Sequence, residues 1–484
     1  MNKKVIFYLL SRICLGVCLA MLITACVGIY YSEPVWEWLA IVVGSFVLSF
    51  GFKYFSVGSL PSDITIREGI GGVFFCWILA CLLGALPFML YNVLEPIPAI
   101  FESMSGLTTT GATVIDDIEV LPRSIVLWRS VLHWIGGIGI IVIFVALLPQ
   151  IAGGAMHLFN AETSGFSNSR ILPRIRTTAV VTFIIYFAFT AVLIGLLMLC
   201  GMSFFDAVNH SFSTIATGGF SSYNASIMHF HSPAIEYILG VFMIISGGNF
   251  SLYYQVYQSG WKQLFRDMEF RTYIIFTIIC TILITANICY VNGYNLGQGF
   301  RDAFFQVSSF VSTTGFVSCD YDKWPSFSKL LLAMMYLTGG CAGSTAGGIK
   351  FGRFVVLIKA VGAEIERAMH PNALMTVTYE KKTVSTTTII NISRFFFMYI
   401  VIIVGLAFIV SWSGIPVEES IFGVASCISS VGPAFGSIGA VHNFSSINNV
   451  SLVVMSIAML LGRLELFTAL VLLRSEYWRS SKRW

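Results

Sequence analysis

Apolar stretches long enough to cross a bilayer recur along this chain, separated by short polar segments. A spanning helix needs about 20 apolar residues. The pattern predicts ten, over residues 5–31, 35–52, 72–94, 125–148, 179–202, 235–257, 273–291, 330–350, 395–412 and 450–473. Lys3 and Lys4 precede the first run as in a signal peptide, but no small-residue cleavage pattern follows, so the run reads as a retained helix. The pattern is that of an all-α polytopic membrane protein.

Between several spans lie shorter, semi-apolar stretches, each ending in a hydroxyl-rich step with glycine. Aligned on Gly111, Gly219, Gly315 and Gly432, they share a register. Two residues earlier stand Thr109, Thr217, Thr313 and Ser430, and six earlier Ser105, Ser213, Ser309 and Ser426. Twelve earlier stand the small residues Ala99, Ala207, Ala303 and Ser420, preceded by Pro98, Asp206, Asp302 and Glu419. Proline and acidic residues favour a helix's first turn, so each stretch predicts a short helix of about three turns running into a glycine loop. The next span carries a small-residue break each time, at Gly136-Gly137, Gly247-Gly248, Gly339-Gly340 and Gly462-Arg463. Glycines in spans also serve as helix packing sites. Packing does not account for loops at membrane depth, where irregular backbone is tolerated only inside protein or along a water-filled cavity.

Four such loops imply four pseudo-repeats of span, re-entrant helix, loop and span around one central pore, following an extra N-terminal helix pair. The boundaries expected are 1–60 for the pair and 61–155, 170–262, 263–375 and 390–484 for the repeats. A ring of loops can offer carbonyl and hydroxyl oxygens to a dehydrated cation. Candidate ligating positions are Thr109, Thr110 and Gly111; Thr217, Gly218 and Gly219; Thr313, Thr314 and Gly315; Ser430, Val431 and Gly432. None carries a charge, which suits a monovalent ion better than a divalent one with its carboxylate ligands. The fourth loop departs from the threonine pattern, and Pro433 restricts Gly432. Fewer hydroxyl contacts and looser selectivity are expected there.

Residues 339–348 hold five glycines, with Ser344 and Thr345, where a span should be. Each glycine costs a helix about 0.8–1.0 kcal/mol relative to alanine. An irregular, movable segment is expected, with Gly339, Gly340, Gly343, Ser344, Thr345, Gly347 and Gly348 obstructing the pore; a helix kink packed on its neighbours is the other reading. Arg463 sits in an apolar span, where an arginine is costly and points to function. It is expected to bond carbonyls of the 339–348 segment, with Glu465 on a different face. Lys350 either snorkels to the cytoplasmic surface or joins the gate.

Composition narrows the class. Hydrophobic residues make up 56% and charged residues 11%, against about 25% charged in soluble domains, which excludes a soluble enzyme or a disordered chain. Lys53, Arg67, Lys262, Arg266, Arg271 and Lys382 fall on the side of the N-terminus, while Glu95, Asp116, Asp117, Asp320, Asp322, Glu418 and Glu419 fall opposite. Positive residues stay inside, so both termini are expected in the cytoplasm and the outer face is anionic. The eleven cysteines lack metal-ligand spacing and read as packing residues. His229 and His231 lack a third ligand, and His133 and His210 read as structural. No nucleotide loop or catalytic cluster occurs, so no enzyme and no nucleic-acid partner are expected.

The motifs Ser105-Gly-Leu-Thr-Thr-Thr-Gly-Ala-Thr113, His133-Trp-Ile-Gly-Gly-Ile-Gly139, Ala216-Thr-Gly-Gly-Phe-Ser221, Gly339-Gly-Cys-Ala-Gly-Ser-Thr-Ala-Gly-Gly-Ile-Lys350, His370-Pro-Asn372 and Gly462-Arg-Leu-Glu-Leu-Phe467 resemble those of the Trk/Ktr/HKT superfamily of potassium transporters, specifically its bacterial TrkH/TrkG type. The resemblance implies potassium uptake across the bacterial inner membrane, K+ as the transported ion with no bound cofactor, a homodimer, and a cytosolic nucleotide-binding ring as regulator. It also implies that 339–348 is the intramembrane gating loop and that glycine at position 111 marks potassium selectivity, serine there marking sodium permeability. A proton- or sodium-coupled symporter of the same architecture is the alternative.

Overall fold

The computed structural model describes residues 3–56, 65–139, 175–372, 375–380, 382–464 and 466–479. Six of its helices are long and apolar enough to cross a membrane: α1 (Lys3–Tyr30), α2 (Trp36–Phe55), α3 (Ile66–Leu90), α6 (Ile175–Leu199), α11 (Met268–Asn292) and α15 (Thr386–Trp412). A capping box starts α3, with Thr65 Oγ1 accepting from Glu68 N and Glu68 Oε2 from Thr65 N. Ile184, Phe187 and Val192 on α6, and Phe397, Val401 and Phe408 on α15, point outward. In water such rows would be a liability; in a bilayer they face the acyl chains.

Four shorter helices lie between the spans: α4 (Pro96–Leu107), α7 (Phe204–Ala216), α12 (Leu296–Val311) and α16 (Val417–Ser429). Their 12 to 16 residues make three to four turns, as expected. Each is buried along most of its length, Phe101 to Leu107 of α4 without a break. Because lipid is as apolar as leucine, close packing and satisfied polar groups hold them rather than water exclusion.

The remaining spans differ from single straight helices, and glycine explains the breaks. Residues 235–257 form a pair bent by 91°, α8 (Pro233–Ser246) and α9 (Phe250–Ser259), turning at Gly247-Gly248. Residues 450–473 form α17 (Asn449–Arg463) and α18 (Leu466–Leu472), bent by 116°. Helix α5 (Arg123–Ile138) ends at Gly139, with φ +85°; the rest of the expected span 125–148 lies outside the described residues, as do Lys381 and Glu465. Residues 330–350 contain only α13 (Ser326–Met335). The helix then gives way to β1 (Thr338–Gly339) and β2 (Ile349–Lys350), which pair in parallel and close a loop. Helix α10 (Lys262–Arg266) precedes α11, and between α11 and α15 also lie α14 (Phe351–Met369) and the hairpin β3 (Thr378–Tyr379) and β4 (Lys382–Thr383).

The short helices pack around a common centre. Helix α5 meets α7, α8 meets α12, and α17 meets α4, joining the last quarter of the chain to the first. The outer loops are stitched at each seam: Ile118 N donates to Asn224 Oδ1 at 2.8 Å, Ile227 N to Val317 O at 3.1 Å, Tyr321 Oη to Ala434 O at 2.9 Å and Phe444 N to Thr113 O at 2.8 Å.

Candidate functional site

Each short helix ends in one repeated backbone device. Thr109, Thr217, Thr313 and Ser430 take left-handed φ of +55° to +58°. Helix ends commonly use this conformation, but with glycine. A non-glycine residue there stores of order 1–3 kcal/mol and persists only where surroundings enforce it. The enforcement is visible: N–H of Thr110, Gly218, Thr314 and Val431 donate to the carbonyls of Ser105, Ser213, Ser309 and Ser426 at 2.8–2.9 Å. The serine column of the sequence register is thus the anchor of every loop.

Two residues on, the chain turns left-handed again at Gly111, Gly219 and Gly315, with φ of +81° to +84°, and at Gly432, with φ +101°. The wider angle of Gly432 accompanies Pro433, whose ring crowds it. Absence of a side chain is required twice over. A Cβ at Gly111 would overlap Gly218 O, one at Gly219 Thr314 O, one at Gly315 Val431 O and one at Gly432 Thr110 O. Each glycine abuts the carbonyl preceding the next glycine, and the fourth returns to the first. The twelve residues singled out by register therefore form a closed ring of backbone.

Beneath the ring lies the loop closed by β1 and β2, which contacts three of the four short-helix regions. Thr345 Oγ1 donates to Ile215 O at 3.1 Å and Ser246 O at 3.3 Å, Cys341 N to Gly247 O at 2.7 Å, and Gly347 N to Thr313 Oγ1 at 2.8 Å. Gly347 also packs where a Cβ would overlap Ser429 O. Gly343 and Gly348 take φ of +77° and +61°, and Gly339 packs against Gly347 O and Gly340 against Gly247 O. Ser344 Oγ is buried without a partner.

Arg463 meets this loop as expected, its Nη1 reaching Thr345 O at 3.2 Å. Its Nη2 also reaches Gly136 O at 2.5 Å and Gly137 O at 3.1 Å, the break at the end of α5. Lys350 does not snorkel: it is buried, and its Nζ donates to Ala346 O and, at 3.4 Å, to Gly347 O. A cavity of about 90 Å³ beside the loop is lined by Gly137, Ser344, Gly347, Lys350, Ser430 and Arg463 among others. Residues expected of ring and gate thus share one space, with three cationic residues, Lys350, Arg353 and Arg463, in its wall.

Several residues that hold this arrangement escaped sequence reasoning. Glu269, buried at the start of α11, accepts from Ala342 N at 2.9 Å and Gly352 N at 2.8 Å through Oε1, tying down both ends of the loop. An acidic residue beside a basic cluster carries no signal of that role. Glu269→Ala is expected to destabilise the fold by about 1–3 kcal/mol, because two buried donors lose their acceptor. A lower unfolding midpoint in detergent checks this, and Glu269→Gln, keeping one oxygen, should retain most of the stability. Arg129 and Glu102 form a buried ion pair at 2.8 Å behind the first loop, and Arg129 also donates to Ser221 O at 3.1 Å and Thr113 Oγ1 at 3.1 Å. Charges within membrane segments seldom stand alone, so pairing Glu102 of α4 with Arg129 of α5, each set inside a helix, would have found them. His133 and His210 are buried against backbone carbonyls; His229 and His231 are exposed. In the outer loops, burial raises the carboxyl of Asp322 above its ordinary range while its Oδ2 accepts from Ala440 N at 3.4 Å.

Apolar spans around a ring of backbone oxygens, with no charged side chain in the ring, define a membrane transport protein. The chain belongs to the TrkH family of cation transport proteins, whose family model matches residues 63–481; this is a family of transporters, not of enzymes. It is 34% identical over 483 residues to the Trk system potassium uptake protein TrkH of Halomonas elongata, covering 99% of this chain and 100% of that relative. It is likewise 34% identical to the Trk system potassium uptake protein TrkG of Escherichia coli K12, covering 96% of each. The crystal structure of the potassium transporter TrkH from Vibrio parahaemolyticus superposes with a TM-score of 0.88 at 31% identity, over 99% of this chain and 100% of that one.

Proposed function

We propose that this protein carries potassium into a bacterial cell across the inner membrane, through a filter of backbone carbonyls that the loop beneath it closes. The observation that carries the reading is the ring itself: four loops of one backbone geometry, each glycine against the next loop's carbonyl. Potassium entering it exchanges hydration water for carbonyl oxygens at little net cost, and the C-terminal ends of α4, α7, α12 and α16 face it with partial negative charge. Thr109, Thr217, Thr313 and Ser430 add hydroxyls at the level of the helix ends. The potassium uptake named for the relatives agrees with this assignment.

In this reading the chain divides into the helix pair 1–60 and quarters 61–155, 170–262, 263–375 and 390–484, with ten crossings, both termini cytoplasmic and an anionic outer mouth. The loop of residues 338–350 is the gate, shut in the arrangement described. Arg463 and Lys350 hold it by its carbonyls and repel cations from the cavity they line. The working unit is a homodimer on a cytosolic nucleotide-binding ring that moves the gate.

The test is rubidium-86 uptake into proteoliposomes under an imposed potassium potential, competed with potassium or sodium. Potassium should compete far better than sodium. A protein that stays silent both alone and with its cytosolic partner would overturn the reading. Uptake that needs a proton or sodium gradient would favour coupled transport instead.

A further inference from the structure

The four loops are braced in two different ways, and the two alternate around the ring. In the first loop Thr108 Oγ1 and Thr110 Oγ1 pair at 2.9 Å, and in the third Ser312 Oγ and Thr314 Oγ1 pair at 2.7 Å. These loops carry their own hydroxyl clasp. The second and fourth have Gly218 and Val431 where the clasp's threonine would stand, so they cannot form it.

Those two loops are held from a neighbouring helix, and the fourth in addition by its own Ser426 Oγ, which donates to Gly432 O at 2.8 Å and Pro433 O at 3.0 Å. His133 lies three residues before Gly136-Gly137, and Tyr336 three before Gly339-Gly340. Both are buried. His133 Nε2 accepts from Phe220 N at 3.2 Å while its Nδ1 meets Gly106 O at 2.7 Å. A carbonyl partner at Nδ1 and an N–H partner at Nε2 together specify the neutral ring protonated at Nδ1. Tyr336 Oη donates to Pro433 O at 2.9 Å. Phe220 and Pro433 are each the residue after the ring glycine. One residue further, Ser221 O accepts from Arg129 at 3.1 Å and Ala434 O from Tyr321 at 2.9 Å. The corresponding positions before the other two breaks are Ile244 and Met459, which have no polar group to offer.

We propose that His133 and Tyr336 are equivalent positioning residues for ion selectivity, each replacing across a quarter boundary the hydroxyl clasp that the second and fourth loops lack. The inference rests on the filter reading above. Cation discrimination depends on how firmly carbonyls keep their spacing, so a loop released on one side should accept sodium more readily while conducting potassium as before. Tyr336 has a further consequence. It stands just before β1, and its own carbonyl accepts from Ser429 Oγ at the end of α16. The fourth loop is therefore tied to the very segment that opens below it.

Tyr336→Phe tests this, since it deletes one oxygen and leaves the ring packed against Phe310 and Phe435. Potassium-over-sodium competition for rubidium-86 uptake should fall about threefold to tenfold, the worth of one buried hydrogen bond, with the maximal rate at saturating potassium little changed. His133→Leu should do the same and His133→Gln, which restores a donor and an acceptor, should recover part of the discrimination. A Tyr336→Phe protein that elutes as wild type and keeps the wild-type competition ratio overturns the proposal, whatever happens to the His133 variants. A loss of rate with an unchanged ratio overturns it too, because that is what a merely structural role predicts. If wild type itself fails to distinguish potassium from sodium, the filter reading falls, and this inference with it.

Discussion

Gly111→Ser is expected to cut the preference for potassium over sodium about tenfold or more, a change of about 1.4 kcal/mol in relative barrier. Position 111 has φ +82°, and a Cβ there would overlap Gly218 O. An L-residue in that region costs about 1–2 kcal/mol before any contact is counted. Relief requires the first loop to flatten or the second to retreat, and either displaces a carbonyl from the ring. The serine hydroxyl could in addition take a carbonyl's place on the ion. Gly111→Ala separates the two causes, since it shares the strain and lacks the oxygen. Competition assays on both variants decide it: equal losses point to geometry, a loss confined to serine points to the hydroxyl. A Gly111→Ser protein with undiminished preference would remove the ring from the account of selectivity.

Arg463→Ala is expected to raise uptake in the absence of any cytosolic partner by about tenfold or more. Its guanidinium spans Thr345 O, Gly136 O and Gly137 O, so it joins the loop of residues 338–350, the proposed gate, to the end of α5. Removing it withdraws a cation from the cavity and takes a donor from three carbonyls, of which Gly136 O keeps Gly139 N at 2.9 Å, at about 1–3 kcal/mol for each left unsatisfied. Both effects loosen the closed arrangement. Arg463→Lys keeps the charge but not the fork that reaches three oxygens. If repulsion dominates, the lysine variant should stay nearly shut; if the carbonyl bridge dominates, it should leak almost as alanine does. Basal uptake equal to wild type in both variants would refute a gating role for Arg463.

Much of the site could be read before the fold. The columns at Ser105, Thr109 and Gly111 and their counterparts marked one device four times over, because left-handed turns and helix ends demand particular residues at fixed short spacing. The interruption at 339–348 was legible for the same reason, as was the contact of Arg463 with that segment, since a buried cation must find carbonyls. The apolar window misjudged 330–350, where helix stops at Met335, and it was silent on how sharply 235–257 and 450–473 bend near the breaks expected at Gly247-Gly248 and Gly462-Arg463. It weighs side-chain hydropathy and does not register that Gly247, Gly339 and Gly340 pack too closely against backbone or a tyrosine for a straight helix.

Other features had no local signature. Glu269 lies more than seventy residues from Ala342 in the chain, and Tyr336 nearly one hundred from Pro433. Nothing near either residue announces its partner. The strained φ of Thr109, Thr217, Thr313 and Ser430 was equally hidden, because threonine avoids that conformation unless its surroundings impose it.

The sequence by itself therefore determined the membrane class, the four-part register, the glycines of the ring and the broken span, all of which follow from hydropathy and backbone freedom over a few residues. Only the tertiary structure decided that the four loops close on one another, that the loop of residues 338–350 hangs from Glu269, Arg463 and Lys350, and that alternate loops take braces from neighbouring helices. Those outcomes depend on groups distant in the chain meeting at hydrogen-bond range, and burial without water makes each such meeting obligatory once the helices pack.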